Sequence, residues 1–265
     1  MTKSTSMLPF SCTVCGLRTC TAVSLFPFND HRRPALTPLL YCIDCRSAHF
    51  NHEPRNDDSL DWHKRVLQRN FEWSALLLRK LSQFGSPRRV IDIGCGIGTW
   101  LHFLDTQGIS GLGFDTNLTL VAHARKTLDL DLRGEIFTAE NPAARAFDAD
   151  LLTAIMVMEH LSKPRALAEQ IARYCVRQGS RFYVTVPWFD DLRHLDFDDE
   201  SKEHSVFNDV GAHVSYFSRE GMIRMFDDFG MRTVGTVSGL AWSGLLFEPH
   251  AGLASGSPHA PVGPA

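Results

Sequence analysis

The sequence contains no run of about 18 apolar residues, the length a membrane-crossing helix needs. Residues 1–7, Met-Thr-Lys-Ser-Thr-Ser-Met, carry none of the apolar core that an export signal requires, so a cytoplasmic protein is expected. An excess of positive charge is missing too: 27 Lys and Arg stand against 30 Asp and Glu, for a net charge of −3 and a pI near 6.4. Without a basic field to gather polyanions, a nucleic-acid partner is not expected. What remains is an ordinary globular composition, 44% hydrophobic and 22% charged over 265 residues. That suffices for a sizeable core in one large or two small domains, and it leaves the oligomeric state open.

A further absence concerns glycine. Residues 90–101, Val-Ile-Asp-Ile-Gly-Cys-Gly-Ile-Gly-Thr-Trp-Leu, read as a short apolar strand, a glycine turn and the start of an amphipathic helix. This is the first βα unit of a doubly wound sheet. The dinucleotide fingerprint G-x-G-x-x-G is not met, because the glycines are Gly94, Gly96 and Gly98 and Thr99 stands where the third would fall. Asp92, two residues ahead of the first glycine, repels a pyrophosphate and attracts an ammonium or sulfonium. Glycines let a ligand approach the backbone, and the N–H groups of the following helix point at it. A small cationic ligand with a nucleoside part is expected there. Asp115, at the end of a second strand over residues 112–114, is placed to accept hydrogen bonds from both ribose hydroxyls; an N-cap role for the next helix is the alternative.

Of seven cysteines, four form two pairs, Cys12-x-x-Cys15 and Cys42-x-x-Cys45, with Gly16 behind the first. Two residues between ligands let one tight turn present both thiolates to a tetrahedral ion, and the second pair closes the site. The spacing predicts a structural Zn2+ in a small ribbon, the alternative being a set of buried or free thiols. Cys20 is a substitute ligand, His49 and His52 read as surface histidines, and Cys95 and Cys175 as small core fillers.

The rest of the chain alternates helix and strand. Apolar residues at helical spacing over 60–81 predict helices that pack on the sheet edge and roof the ligand site, with Trp62 and Trp73 in the core. A helix over 118–128, a third strand near 135–138, a buried run over 151–158, a helix from 164 to about 176 and a fifth strand over 181–188 follow. Residues 189–212, rich in acids and containing His194 and His204, are too long for an ordinary connection and read as a substrate lid. A helix from Arg219 to Phe229 and two last strands, near 231–237 and 241–247, close the sheet as an antiparallel pair; residues 249–265 form a disordered tail.

Residues 90–98 resemble motif I of the class I S-adenosylmethionine-dependent methyltransferases, hydrophobic-hydrophobic-D-x-G-x-G-x-G. Glu159-His160-Leu161 resembles the step that follows the fourth strand in the same enzymes, and His213 to Ser218 resembles their H-x-x-x-F-(S/T). The cysteine pairs followed by residues 49–54 look like the front of zinc-ribbon methyltransferases of bacterial glycan and natural-product pathways. The resemblance implies an α/β, Rossmann-like, seven-stranded sheet over residues 85–248, behind a zinc ribbon over 1–55 and linking helices over 56–84. It implies S-adenosylmethionine held by Asp92, Gly94, Cys95, Gly96, Gly98, Asp115, Thr116 and Met156. Glu140 is a candidate for the adenine, because Thr138 stands where relatives place an acid. The implied reaction is methyl transfer to a small or glycan-type acceptor, at oxygen. Two other readings stay open: a zinc-finger ribosomal RNA methyltransferase and a non-catalytic module that binds S-adenosylmethionine. For a hydroxyl acceptor a base near neutrality is wanted, and His213, where the chain returns from the 189–212 insertion, is favoured over His160.

Overall fold

The computed structural model describes residues 11–17, 20–26, 37–50, 60–192, 212–238 and 243–251. Most of the expected lid, with His194 and His204, lies outside these residues, as do His52 and the tail from residue 252. Three strands come first, β1 (Cys20–Phe26), β2 (Thr37–Cys42) and β3 (Ala48–Phe50), antiparallel in that order. Residues 60–81 then form one 22-residue helix, α1 (Leu60–Leu81), where the spacing predicts several.

The main sheet starts at β4 (Arg89–Ile93), followed by α2 (Thr99–Thr106), β5 (Ser110–Phe114), α3 (Leu118–Leu128) and β6 (Leu132–Arg133). Next come α4 (Pro142–Phe147), β7 (Leu151–Ile155), α5 (Pro164–Gln178), β8 (Arg181–Thr185) and the short α6 (Phe189–Leu192). After residue 212 the elements are β9 (Ser215–Tyr216), α7 (Arg219–Asp227), β10 (Met231–Val237) and β11 (Gly244–Pro249). The order across the sheet is β10-β11-β8-β7-β4-β5-β6. Strands β4 to β8 are parallel, and β11 runs antiparallel to both β8 and β10.

Alternation along the strands sends side chains into two apolar layers. Val90, Leu151 and Tyr183 face α1, α2 and α3, while Ile91, Leu152 and Phe182 face α4, α5 and α7. In the first layer Phe71 meets Phe103 edge-on at 5.7 Å and Trp73 meets Trp100 at 6.5 Å, the offset geometry that aromatic quadrupoles favour. Helix ends follow side-chain chemistry. Asn117 caps α3 and Asn141 caps α4 ahead of Pro142, while Gly179 ends α5 in the left-handed region.

Three boundaries differ from expectation. The third strand is Leu132–Arg133, not 135–138, because Leu132 pairs with Gly113 and is fully buried, whereas Phe137 packs edge-on under Phe114 from a loop and Ile136 is exposed. The fifth strand stops at Thr185, as only residues 181–185 find ladder partners on β7. The last strand begins three residues later than expected, at Gly244, and ends two residues further, at Pro249, which stands opposite Met231 beyond the residues that pair with β8, where a missing N–H is tolerated.

The first three strands are joined to the rest. Strand β9 pairs antiparallel with β3, Ala48 opposite Tyr216 and His49 opposite Ser215, making a four-stranded sheet β1-β2-β3-β9. His49 is therefore enclosed between two strands and is buried, a correction to its reading as a surface residue; burial lowers its pKa to about 4.

Candidate active site and cysteine cluster

The glycine turn follows β4 at the C-terminal edge of the parallel strands, where doubly wound sheets bind ligands. Gly94 takes φ +69° and packs so closely on the chain leaving β7 that a Cβ there would stand 2.5 Å from Val157 Cγ2. Gly96, at φ +56°, faces the ring of His63 from α1, whose Cε1 would lie 3.0 Å from an added Cβ. That contact brings α1 over the loop. Gly98 is the left-handed N-cap of α2, and Cys95 is a buried filler of the turn. The N–H groups of Gly94 and Cys95 donate to the Phe114 carbonyl, at 2.7 and 3.1 Å, so the loop is built onto the end of β5.

Asp115 stands at that same end. One carboxylate oxygen accepts the Gly96 N–H at 2.7 Å and the other accepts the Asn117 N–H at 2.7 Å, each retaining a further lone pair. The helix cap is made by Asn117, so Asp115 is not the N-cap. Asp92 is only 4% exposed and accepts a hydrogen bond from the Thr153 hydroxyl at 2.6 Å. Burial, assisted by the charge of Asp115, pushes its pKa up to about 7 against the opposing Thr153 hydrogen bond. Two carboxyls thus flank the turn, one of them held where a nearby cation would ionise it.

Met156, at φ +57°, follows β7 directly, and its N–H donates to the Thr185 carbonyl at 2.9 Å. Thr116 lies exposed beside Asp115. Glu140 is apart from this group: its carboxylate is exposed and paired with Arg145 and Arg177. A cleft of about 510 Å³ opens between the loop after β6 and the start of α5, lined among others by Phe137, Thr138, His160 and Lys163.

The two histidines favoured as bases are brought together. Their rings meet edge-on with centroids 4.7 Å apart. His160 Nδ1 lies 3.1 Å from the Ala212 carbonyl oxygen. That oxygen can only accept, so Nδ1 is the donor and Nε2 faces away from this bond. Beside them Glu159 is 1% exposed, and burial pushes its carboxyl pKa up to about 8. In the sequence Glu159 is visible only as the first residue of the Glu159-His160-Leu161 step, with no role of its own, and nothing marks His63; an acid directly before a histidine at the exit of an apolar strand was the available signal for the first.

The four cysteines converge. Cys12 Sγ is 3.6 Å from Cys45 Sγ, Cys15 Sγ is 3.6 Å from Cys42 Sγ, and all four sulfurs lie within 4.8 Å of one another. None forms a disulfide. The Val14 and Cys15 N–H groups point at Cys12 Sγ, and each pair is followed by a left-handed residue, Gly16 at φ +76° and Arg46 at φ +58°. Burial pushes the Cys15 thiol up to about 12. Arg165 of α5 ties the first pair to the main domain, donating to the Val14 carbonyl at 3.0 Å and to Asp228 at 2.9 Å.

Sheet order, the single reversed strand β11 and an acid-flanked glycine turn after the first parallel strand define a class I methyltransferase fold. A family model described as a methyltransferase domain matches residues 65–235, and the chain belongs to that family. No curated protein matches the sequence. Among solved structures, the fold is similar to an O-methyltransferase family protein from Burkholderia thailandensis, at 18% identity and a TM-score of 0.54 over 72% of this chain and 59% of that one. It is similar to human N-acetylserotonin methyltransferase in complex with S-adenosylmethionine, also at 18% identity and 0.54, over 72% of this chain and 56% of that one. It is also similar to the PH0226 protein from Pyrococcus horikoshii, at 15% identity and 0.51, over 73% and 93%. The chain thus spans less than two thirds of the Burkholderia and human proteins. Among the described residues no helix is long and apolar enough to cross a membrane.

Proposed function

We propose that the enzyme moves the methyl group of S-adenosylmethionine to a hydroxyl of a small or glycan-type acceptor. The observation that carries this reading is the pair of carboxyls at the glycine turn, with the buried Asp92 poised near neutrality beside Asp115. Such a lining suits a sulfonium and opposes a pyrophosphate. In this reading the backbone of Gly94, Cys95, Gly96 and Gly98 cradles the cofactor, and Asp115 takes the ribose with its remaining lone pairs. Asp92 faces the positive end, while Thr116 and Met156 border the site. Glu140, turned to its two arginines, has the weakest case. When bound, the cofactor supplies an electrophilic methyl carbon, and the chain's residues align the acceptor and manage its proton.

For a hydroxyl acceptor His213 would take that proton, with His160 as the second choice, and the cofactor would supply the methyl group to the acceptor oxygen. A cleft of about 510 Å³ is in the range of small-molecule sites, and the chain's acidic balance disfavours a polyanionic acceptor. The four cysteines hold a structural zinc ion, with no open position. A tetrahedral ion with bonds of about 2.3 Å separates adjacent sulfurs by about 3.8 Å, close to the spacing of the cluster.

The test is calorimetry with S-adenosylhomocysteine alongside a single-turnover assay with methyl-labelled cofactor. Binding of the thioether product at micromolar concentration supports the reading; binding of NADH with none of S-adenosylhomocysteine overturns it. On the true acceptor, His213→Gln is expected to keep cofactor affinity and lower turnover by about 10²-fold.

A further inference from the structure

Glu159, His160 and His213 each offer one ligand atom, and the three lie within 4.8 Å of one another. Two imidazole nitrogens and one carboxylate oxygen are a common donor set for first-row divalent ions, and three protein ligands leave positions open for a substrate oxygen. We propose that these three residues form a second metal site, holding one divalent ion beside the cleft that His160 lines. This rests on the reading above, in which the acceptor hydroxyl meets the two histidines.

Three observations support it independently of the cysteine cluster. Both carboxylate oxygens of Glu159 are buried without a hydrogen-bond partner among the described residues. A carboxyl so placed is held either by a proton or by a cation, and two imidazoles at ligand distance complete a donor set for the cation. The His160 Nδ1–H donates to the Ala212 carbonyl, the backbone contact that orients ligating histidines and leaves Nε2 for an ion. The two segments that bring the ligands together are also fixed before any ion arrives. Val214 N–H donates to the Glu159 carbonyl at 2.8 Å, the Ser215 hydroxyl to the Leu161 carbonyl at 2.8 Å, and Phe50 N–H to the Val214 carbonyl at 2.9 Å.

An ion held there polarises the acceptor hydroxyl and lowers its pKa. With the ion bound, His213 is a ligand and the acceptor's proton passes to water. The oxygen forms the bond to the methyl carbon as the carbon–sulfur bond breaks, so atoms and charge balance. The cysteine cluster is chemically separate, since four soft thiolates select zinc over a hard ion such as Mn2+.

Mn2+ is accordingly the probe, followed by electron paramagnetic resonance of the free ion with the full chain purified under reducing conditions. One Mn2+ per chain is expected to bind, and Glu159→Gln, which keeps the side-chain shape, should weaken it by about tenfold or more. His160→Gln provides the same comparison should Glu159→Gln fold poorly. A full free-ion signal at millimolar protein and Mn2+, or equal binding by wild type and both variants, overturns the site. Calorimetry with S-adenosylhomocysteine on the same samples separates the two readings: cofactor binding without Mn2+ binding removes the metal site and leaves the methyltransferase reading intact, and the reverse result removes the cofactor assignment.

Discussion

Ser218, the N-cap of α7, donates its hydroxyl proton to the carbonyl oxygen of Cys45, 173 residues earlier in the chain. The same hydroxyl accepts the Gly221 N–H at 2.8 Å, and the Ser218 N–H donates to the Ser47 hydroxyl at 3.0 Å. One buried serine therefore ends a cysteine knuckle and begins the helix that follows His213. Ser218→Ala removes both side-chain bonds and leaves the Cys45 carbonyl buried. It should cost about 1–3 kcal/mol in denaturant unfolding, with S-adenosylhomocysteine affinity unchanged.

Metal removal should be felt in the same place. Stripping the protein with a thiol-competitive chelator is expected to lower the melting temperature and make the four buried thiols of Cys12, Cys15, Cys42 and Cys45 titratable, with one zinc released per chain by elemental analysis. Absence of zinc from protein purified under reducing conditions would count against the ribbon.

Asp115 holds the turn and, in the proposed function, also takes the ribose. Asp115→Ala removes the acceptors of the Gly96 and Asn117 N–H groups and, in the proposed function, those of the ribose, so S-adenosylhomocysteine should bind more weakly by about 1.5–3 kcal/mol in calorimetry. An unchanged affinity would place the ribose elsewhere.

Asp92 makes a pH prediction whose sign follows from burial. Its pKa rises from 3.8 unfolded to about 7 folded, so the folded chain keeps a proton that the unfolded chain releases. Its contribution to stability is complete below about pH 4 and is lost as pH rises through about 7. The difference in melting temperature between wild type and Asp92→Asn, measured from pH 4 to 8, should widen in the variant's favour with pH. A bound sulfonium favours the ionised carboxyl, so S-adenosylmethionine should bind with proton release near pH 6.5, read as a buffer-dependent enthalpy. The variant should lose that dependence.

Gly94→Ala tests the contact between the exits of β4 and β7. An added Cβ meets Val157 Cγ2 at 2.5 Å, on a backbone with φ +69°. A loss of more than about 1 kcal/mol in unfolding free energy is expected. Adding Val157→Ala should recover part of it, relieving the clash but not the backbone strain.

The glycine turn was legible because its chemistry is local: an acid, three glycines and an apolar strand lie within nine consecutive residues, 90–98. Asp115 and the cysteine pairs were legible for the same reason, through fixed offsets. The third strand was misread because a two-residue ladder leaves no periodicity, and Ile136 and Phe137 offered a stronger apolar signal from a loop. The second knuckle's left-handed Arg46 carried no glycine to announce it. His63 over Gly96, and the pairing of β3 with β9, depend on contacts between distant parts of the chain that no short window contains.

That last pairing bears on how the molecule can be divided. The edge of β9 that β3 covers, and the Tyr216 ring that Phe50 meets edge-on at 5.8 Å, would face water in a fragment beginning at α1. Such a fragment would keep the whole parallel sheet and the glycine turn. It would also display an unpaired strand edge flanked by aromatic surface, the template on which separate chains add to one another and precipitate. The strands ahead of α1 thus cover an edge of the methyltransferase domain as well as carrying the second cysteine pair to it.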